Sequence, residues 1–173
     1  IVCRYQGGNN AGHTVINDLG KFVLNLLPSG ILRSDVVNIM GNGMVIDLEH
    51  LCGEVKRLQD AGVSVSPKNL KISDKAIICM PYHRELDCLE EDRLGDAKYG
   101  STRRGISPVY GDKYMKKCLR MGDLLYPESY QKTLASLIDY KNLIITQVYH
   151  AEPISYEKTL AWLETYGNMF QDY

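Results

Sequence analysis

Gln6-Gly7-Gly8-Asn9-Asn10-Ala11-Gly12-His13-Thr14 follows an apolar opening run, residues 1–5, that reads as a β-strand. It places three glycines on positions 7–12 and sets polar side chains between and after them. Glycines at this density let backbone N–H groups close on an anion, as phosphate-cradling turns do. The G-x-x-x-x-G-K-[ST] spacing of a Walker A loop, and its lysine, are absent. On the residues alone the stretch is either such a cradle or a tight polar turn closing the strand. His13 is the one histidine in such a loop. Beside a hydroxyl it is placed to protonate or polarise a reacting oxygen near neutral pH, or else to be tied to backbone.

Outward from this loop, the first hundred residues alternate short apolar runs with helical patterns, the signature of a mostly parallel sheet with crossover helices. Strands are expected over residues 1–5, 15–16 paired with 21–27 across the turn Asn17-Asp18-Leu19-Gly20, 36–40 and 70–72. Leu48, Leu51, Cys52, Val55 and Leu58 fall at helical offsets, with Asp47 placed to cap that helix and Gly62 to end it. A second helix is expected over 81–94, opened by Pro81, with Leu86 and Leu89 inward and a charged outer face. From Gly95 a Gly-, Ser- and Arg-containing loop runs to Pro108, the one candidate linker. Helices are expected after it over 111–115, 127–147 and 155–173. The expected division is therefore a sheet portion with the loop site, 1–97, and a loop plus helical subdomain, 98–173.

The totals narrow the function. The 173 residues are enough for one substantial core, and 45% hydrophobic with 24% charged residues is a globular composition. With 20 basic and 21 acidic side chains there is no global field to attract nucleic acid or an anionic membrane, so any polyanion must be held locally. No apolar run approaches the roughly 20 residues that a membrane helix needs. Cys3, Cys52, Cys79, Cys88 and Cys118 are scattered, without a C-x-x-C pair or a histidine completing a zinc set, and suggest a reduced, cytoplasmic protein. Residues 1–4 already read as mid-strand and the last segment stops without a terminating glycine or proline, so a chain cut at both ends is expected.

A second constellation is Tyr99-Gly100-Ser101-Thr102-Arg103-Arg104-Gly105-Ile106-Ser107-Pro108. Two arginines and two hydroxyls between glycines suit a phosphate or carboxylate clamp, and equally a solvated basic turn. Asp112, Lys113, Lys116, Lys117 and Arg120 read as an exposed helix face. His50, His83 and His150 show no carboxylate or cysteine at ligand spacing and read as structural or surface residues.

The glycine loop with Arg4 and Tyr5 before it, then Leu26-Leu27-Pro28-Ser29-Gly30-Ile31-Leu32, then Gly41-Asn42-Gly43-Met44-Val45-Ile46-Asp47, then the loop ending at Pro108 with Tyr110 and Asp112-Lys113, then Arg120-Met121-Gly122-Asp123-Leu124, together resemble successive landmarks of the adenylosuccinate synthetase family. The resemblance is densest up to about residue 125. It implies an α/β fold related to P-loop GTPases with a helical subdomain, truncated at both ends. It also implies a cytoplasmic, homodimeric ligase of purine (AMP) biosynthesis that joins IMP and L-aspartate using GTP and Mg2+ through 6-phosphoryl-IMP.

By position, the resemblance makes His13 the catalytic acid. Asn10, Ala11, Gly12, His13, Thr102 and Lys116 become IMP-binding, Gly12, His13 and Thr14 GTP-binding, and the Gly12 carbonyl a magnesium ligand, while Lys113 and Arg104 belong to the basic wall. The family commonly has glycine at Arg103 and arginine at Lys116, the residue that reaches the partner's IMP; a lysine keeps the charge and loses the orienting fork. The family's Gly-Asp-Glu-Gly-Lys-Gly-Lys loop is expected before Ile1, and its aspartate- and guanine-binding parts after Tyr173. By itself the chain is expected to be inactive. The other reading is a non-catalytic nucleotide-binding or dimerisation module that keeps the scaffold.

Overall fold

A computed structural model describes all 173 residues. Strand β1 (Val2–Gly7) pairs in parallel with the long β4 (Asn38–Ile46), which pairs in parallel with β5 (Leu70–Ile72) through its first half and with β6 (Ile77–Ile78) through its second. β2 (His13–Asn17) and β3 (Gly20–Leu24) form a separate antiparallel hairpin closed by the Asn17–Gly20 turn. The architecture is α/β with a parallel sheet, as the alternation of runs implied.

Strand limits differ from the sequence reading: β1 runs on to Gly7, β2 spans His13–Asn17 rather than 15–16, β6 lies outside the expected strands, and β4 and β3 end elsewhere. β4 does not stop at residue 40 but runs on through Gly41-Asn42-Gly43 to Ile46, because β1 supplies pairing partners as far as Met44 and β6 pairs with Val45 and Ile46. β3 ends at Leu24 rather than 27, because the amides of Asn25, Leu26 and Leu27 turn away to the carboxylate of Glu54, which is fully buried. One carboxylate taking three successive backbone donors leaves none for a sheet ladder.

Helix α1 (Leu48–Asp60) starts where Asp47 caps it, its Oδ1 accepting from His50 N at 3.1 Å, and buries Leu48, Leu51, Val55 and Leu58. Each contributes on the order of 1.5–3 kcal/mol of burial, an upper estimate. Gly62 follows at φ 84°. α2 (Pro81–Leu94) has the expected limits, but its polar face is not all outward: Asp87 and Glu91 are buried. α3 (Ile106–Met115) begins five residues before the expected 111, so Pro108 lies in its first turn, where a missing N–H costs nothing. The presumed 95–108 linker shortens accordingly to residues 95–105, the first three in a 3-10 turn. Asp112 is buried rather than part of an exposed face.

α4 (Pro127–Gln147) matches its expected limits, whereas α5 (Tyr156–Gly167) ends earlier than expected and gives way to a 3-10 turn. Leu134, Leu137, Ile138 and Ile145 of α4 and Leu163 of α5 share one continuous core with Met40, Met44, Ile46 and the α1 stripe. No helix is long and apolar enough to cross a membrane.

Candidate functional site

The glycine loop leaves the C-terminal end of β1 and is held from three sides. Arg4 donates Nη2 to Gly8 O at 2.9 Å and Nε to Gln6 O at 3.4 Å, bracing the bend from within its own strand. The Tyr110 hydroxyl on α3 accepts from Gly7 N at 3.0 Å and donates to Gly43 O at 2.8 Å, so one phenol ties the loop to β4. Asn9, only 4% exposed, donates its side-chain amide to Asp47 Oδ2 at 3.1 Å. Gly8 packs closely under α3 and β4: a Cβ there would lie 2.7 Å from Ile106 Cδ1, 2.9 Å from Val45 Cγ2 and 3.1 Å from Val45 O, so a side chain would displace its neighbours.

Beyond these ties, Asn10, Ala11, Gly12 and Thr14 are exposed. His13 opens β2 and is half-buried, and its Nε2 is shielded from solvent without a hydrogen-bond partner. The ring lines a cleft of about 540 Å³ together with Arg4, Gln6, Tyr5 and Ser29. Burial foremost, and then the Arg4 charge, push its pKa below the usual 6.5, against a smaller opposing pull from Glu54. The imidazole is therefore held neutral, with one ring nitrogen free for a ligand. Val2, Cys3 and Pro28 complete a mixed lining in which Arg4 is the one cationic side chain, the group that favours an anion there.

The second loop is set by α2. Glu91 accepts from Tyr99 N at 3.1 Å and Gly100 N at 3.0 Å, and Asp87 accepts from Gly105 N at 2.9 Å. Thr102, Arg103 and Arg104 between these anchors are exposed. Arg103 adopts φ 54° and pairs with Asp92 at 2.7 Å, an exposed contact worth little. Lys116 ends α3 at φ 60°, exposed. Lys113 reaches Asn42 O at 3.4 Å and lies 5.7 Å from the Tyr110 ring. The glycine loop thus meets α3, through Gly8 against Ile106 and Gly7 against Tyr110, while no hydrogen bond joins Thr102 or Lys116 to the 10–14 stretch.

The histidine reading needs one correction: His50 does have a carboxylate at helical spacing, with Nε2 3.2 Å from Glu54 Oε1 and from Asn25 Oδ1. Burial raises the Glu54 pKa, but the His50 bond and the amides of Leu27, Asn25 and Leu26 outweigh it and hold the carboxylate ionised. His83 is structural, as read, and fully buried. Its Nδ1 accepts from Met80 N at 2.9 Å, so its Nε2 carries the proton toward Asp112 Oδ2 at 2.9 Å, and Lys141 Nζ completes the group 2.6 Å from Asp112 Oδ1.

No three His, Cys, Asp or Glu side chains gather into a metal-binding group. Near Gly12 the chain offers a backbone carbonyl and neutral side chains, short of the oxygen set that a hard cation requires. The residues present do not by themselves make a magnesium site.

Asn9 and Asp47 are a supporting pair that the sequence alone does not join. Asn9 sits in the singled-out loop and Asp47 was read as a helix cap; the fold alone joins them.

The adenylosuccinate synthetase family model matches residues 1–173. The chain is similar to an adenylosuccinate synthetase of Halothermothrix orenii, at 50% identity over 89% of this chain and 36% of the relative. A Caldicellulosiruptor bescii adenylosuccinate synthetase is 45% identical over 100% of this chain and 40% of its own length. Among solved structures, a fully ligated adenylosuccinate synthetase from Plasmodium falciparum superposes with a TM-score of 0.84 at 32% identity, over 99% of this chain and 39% of that one. The chain spans about 40% of the length of such relatives.

Proposed function

The chain belongs to the adenylosuccinate synthetase family, and from that premise we propose that it forms the part of a GTP-dependent carbon–nitrogen ligase that carries the phosphoryl-transfer histidine and one wall of the IMP site. The whole enzyme joins IMP and L-aspartate to give adenylosuccinate, GDP and phosphate in AMP biosynthesis, in the cytoplasm. The observation that carries this reading is His13 Nε2, shielded and unpartnered in a cleft shared with Arg4.

In this reading a carboxylate takes the N1 proton of IMP while the 6-oxygen attacks the terminal phosphate of GTP, and aspartate then displaces the phosphorylated oxygen. Phosphoryl transfer is governed by placement and charge stabilisation. A neutral His13 donates a hydrogen bond from Nε2 to the oxygen on which charge develops. Asn10 and Ala11, with the Gly12 and His13 amides, bound the IMP side, and Thr14 lies toward GTP. Thr102 and Arg104 close on the nucleotide from the second loop, and Lys113 adds to the basic wall. Lys116 supplies charge to the IMP of a second subunit in a homodimer. When bound with GTP, magnesium would neutralise phosphate charge, and Gly12 could offer it one carbonyl.

The His13 cleft contains no carboxylate, so the 173-residue chain is expected to turn nothing over alone. The division at 97/98 separates the glycine loop, with His13 and its share of the IMP site, from Thr102 and Lys116, even though both portions draw on one core. The test is phosphate release by the full-length parent. Release that requires IMP, GTP and aspartate together supports the assignment, and a folded parent that releases none refutes it. Measurable IMP affinity in the chain alone, with an inactive parent, would instead favour a binding module.

A further inference from the structure

The 99–105 loop has an unusual attachment. A cavity of about 370 Å³ opens behind it, walled by Leu86, Met115 and Ile144 with Asp87, Glu91 and Lys141 at its polar side. What fixes its ends is a pair of carboxylates one helical turn apart on α2. Glu91, 3% exposed, spends one oxygen on Tyr99 N and the other on Gly100 N, while Asp87, 6% exposed, takes Gly105 N. Gly105 is pressed against the first turn of α2, where a Cβ would stand 2.7 Å from Arg84 N, and its φ of 77° suits glycine. Neither carboxylate has a cationic side-chain partner, so both are committed to backbone amides. Charge-assisted bonds of this kind are stronger than neutral ones, and a loop pinned at both ends loses less entropy when it meets a ligand.

We infer that Asp87 and Glu91 are positioning residues that hold the 99–105 loop with Thr102 and Arg104 turned to solvent, set in advance to receive the phosphate of a nucleoside monophosphate. They touch no ligand themselves; they act through the loop backbone. The inference rests on the ligase reading for the identity of the ligand, while the clamp itself does not depend on that reading.

The experiment has two arms. In the first, Glu91→Ala, Glu91→Gln and the exposed control Glu85→Gln are made in the 173-residue chain, and trypsin cleavage after Arg103 and Arg104 is followed by mass spectrometry, with circular dichroism melts to confirm folding. Cleavage should rise roughly tenfold in Glu91→Ala, equivalent to about 1.4 kcal/mol of loop-ordering free energy. It should rise less in Glu91→Gln, which keeps one acceptor, and not at all in the control. Equal cleavage in all folded variants overturns the clamp.

In the second arm the same substitutions and Asp87→Asn are made in the full-length parent. KM for IMP should rise about tenfold with kcat within about twofold, the split expected when only ligand positioning is lost. A loosened loop with unchanged KM overturns the assigned role. An unmodified parent that never uses IMP refutes the ligase reading and leaves the trypsin result to judge the clamp.

Discussion

Asn9 and Asp47 meet at 3.1 Å, and through that bond the glycine loop after β1 is fastened to the N-terminus of α1. Asp47 splits its two oxygens, Oδ1 to the first turn of the helix and Oδ2 to Asn9, with the Arg84 guanidinium 3.6 Å from Oδ2. A capping residue has thereby become a support for the candidate site.

Replacing Asp47 therefore removes two things at once. Asp47→Ala forfeits a cap worth about 1–2 kcal/mol and strands a buried amide at a cost of about 1–3 kcal/mol. The expected loss is roughly 2–5 kcal/mol in urea unfolding of the chain. Asp47→Asn keeps the cap and should lose less than half as much. A loss below about 0.5 kcal/mol for the alanine variant would show that the two residues are not coupled in solution.

A second prediction concerns the buried group at the α2–α3–α4 junction. Asp112 is 1% exposed and is compensated by Lys141 at 2.6 Å, with His83 neutral beside it. Lys141→Met removes the only cationic partner and leaves a buried carboxylate uncompensated, a loss of about 3–5 kcal/mol. Adding Asp112→Asn to Lys141→Met should recover much of it, since the charge needing compensation is gone. Additive losses in the double variant, measured by denaturant titration, would contradict the pairing.

How far the sequence reached can be judged from particular residues. Helix limits at Asp47, Pro81 and Pro127 were legible because a cap or an N1 proline is a local signal. The extension of β4 through Gly41-Asn42-Gly43 was not, because it depends on β1 lying alongside, a partner far away in sequence. Asp87, Glu91 and Asp112 looked like a solvated surface for the same reason: their partners are loop amides and a lysine on another helix. The chemistry-bearing stretch at 6–14 stood out because glycine density is local, whereas its supports Arg4, Tyr110 and Asp47 needed the fold.

Acid lability should show two stages. Burial foremost keeps the His83 pKa below the usual 6.5 in the folded chain. Above that pH both folded and unfolded chains hold it neutral, so it adds no slope. As pH falls below about 6.5 the unfolded chain binds a proton that the folded chain refuses, and stability drops by up to about 1.4 kcal/mol per pH unit. Glu54 and Asp112 resist the upward push of burial through their hydrogen bonds and stay below their usual 4.5 and 3.8, so stability present above those values is lost as pH falls through them. Urea midpoints that stay level between about pH 6.5 and 5 would contradict the first stage.

The last prediction addresses His13 directly. Because burial and then Arg4 depress its pKa, NMR titration should find His13 half-protonated below pH 6.5, the usual value. Arg4→Gln removes the charge while retaining a donor for the Gly8 carbonyl, so the pKa should rise toward that value without reaching it, since burial persists. If the neutral imidazole is the working form, the acid limb of the parent's pH–rate profile must move upward by the same interval, because protonation there ends activity. His13→Ala should cost the parent about a hundredfold or more in turnover and the chain under about 0.5 kcal/mol in stability, since a half-exposed loop ring carries little of the core. A titration shift without a matching shift in rate would separate His13 from the proton-sensitive step.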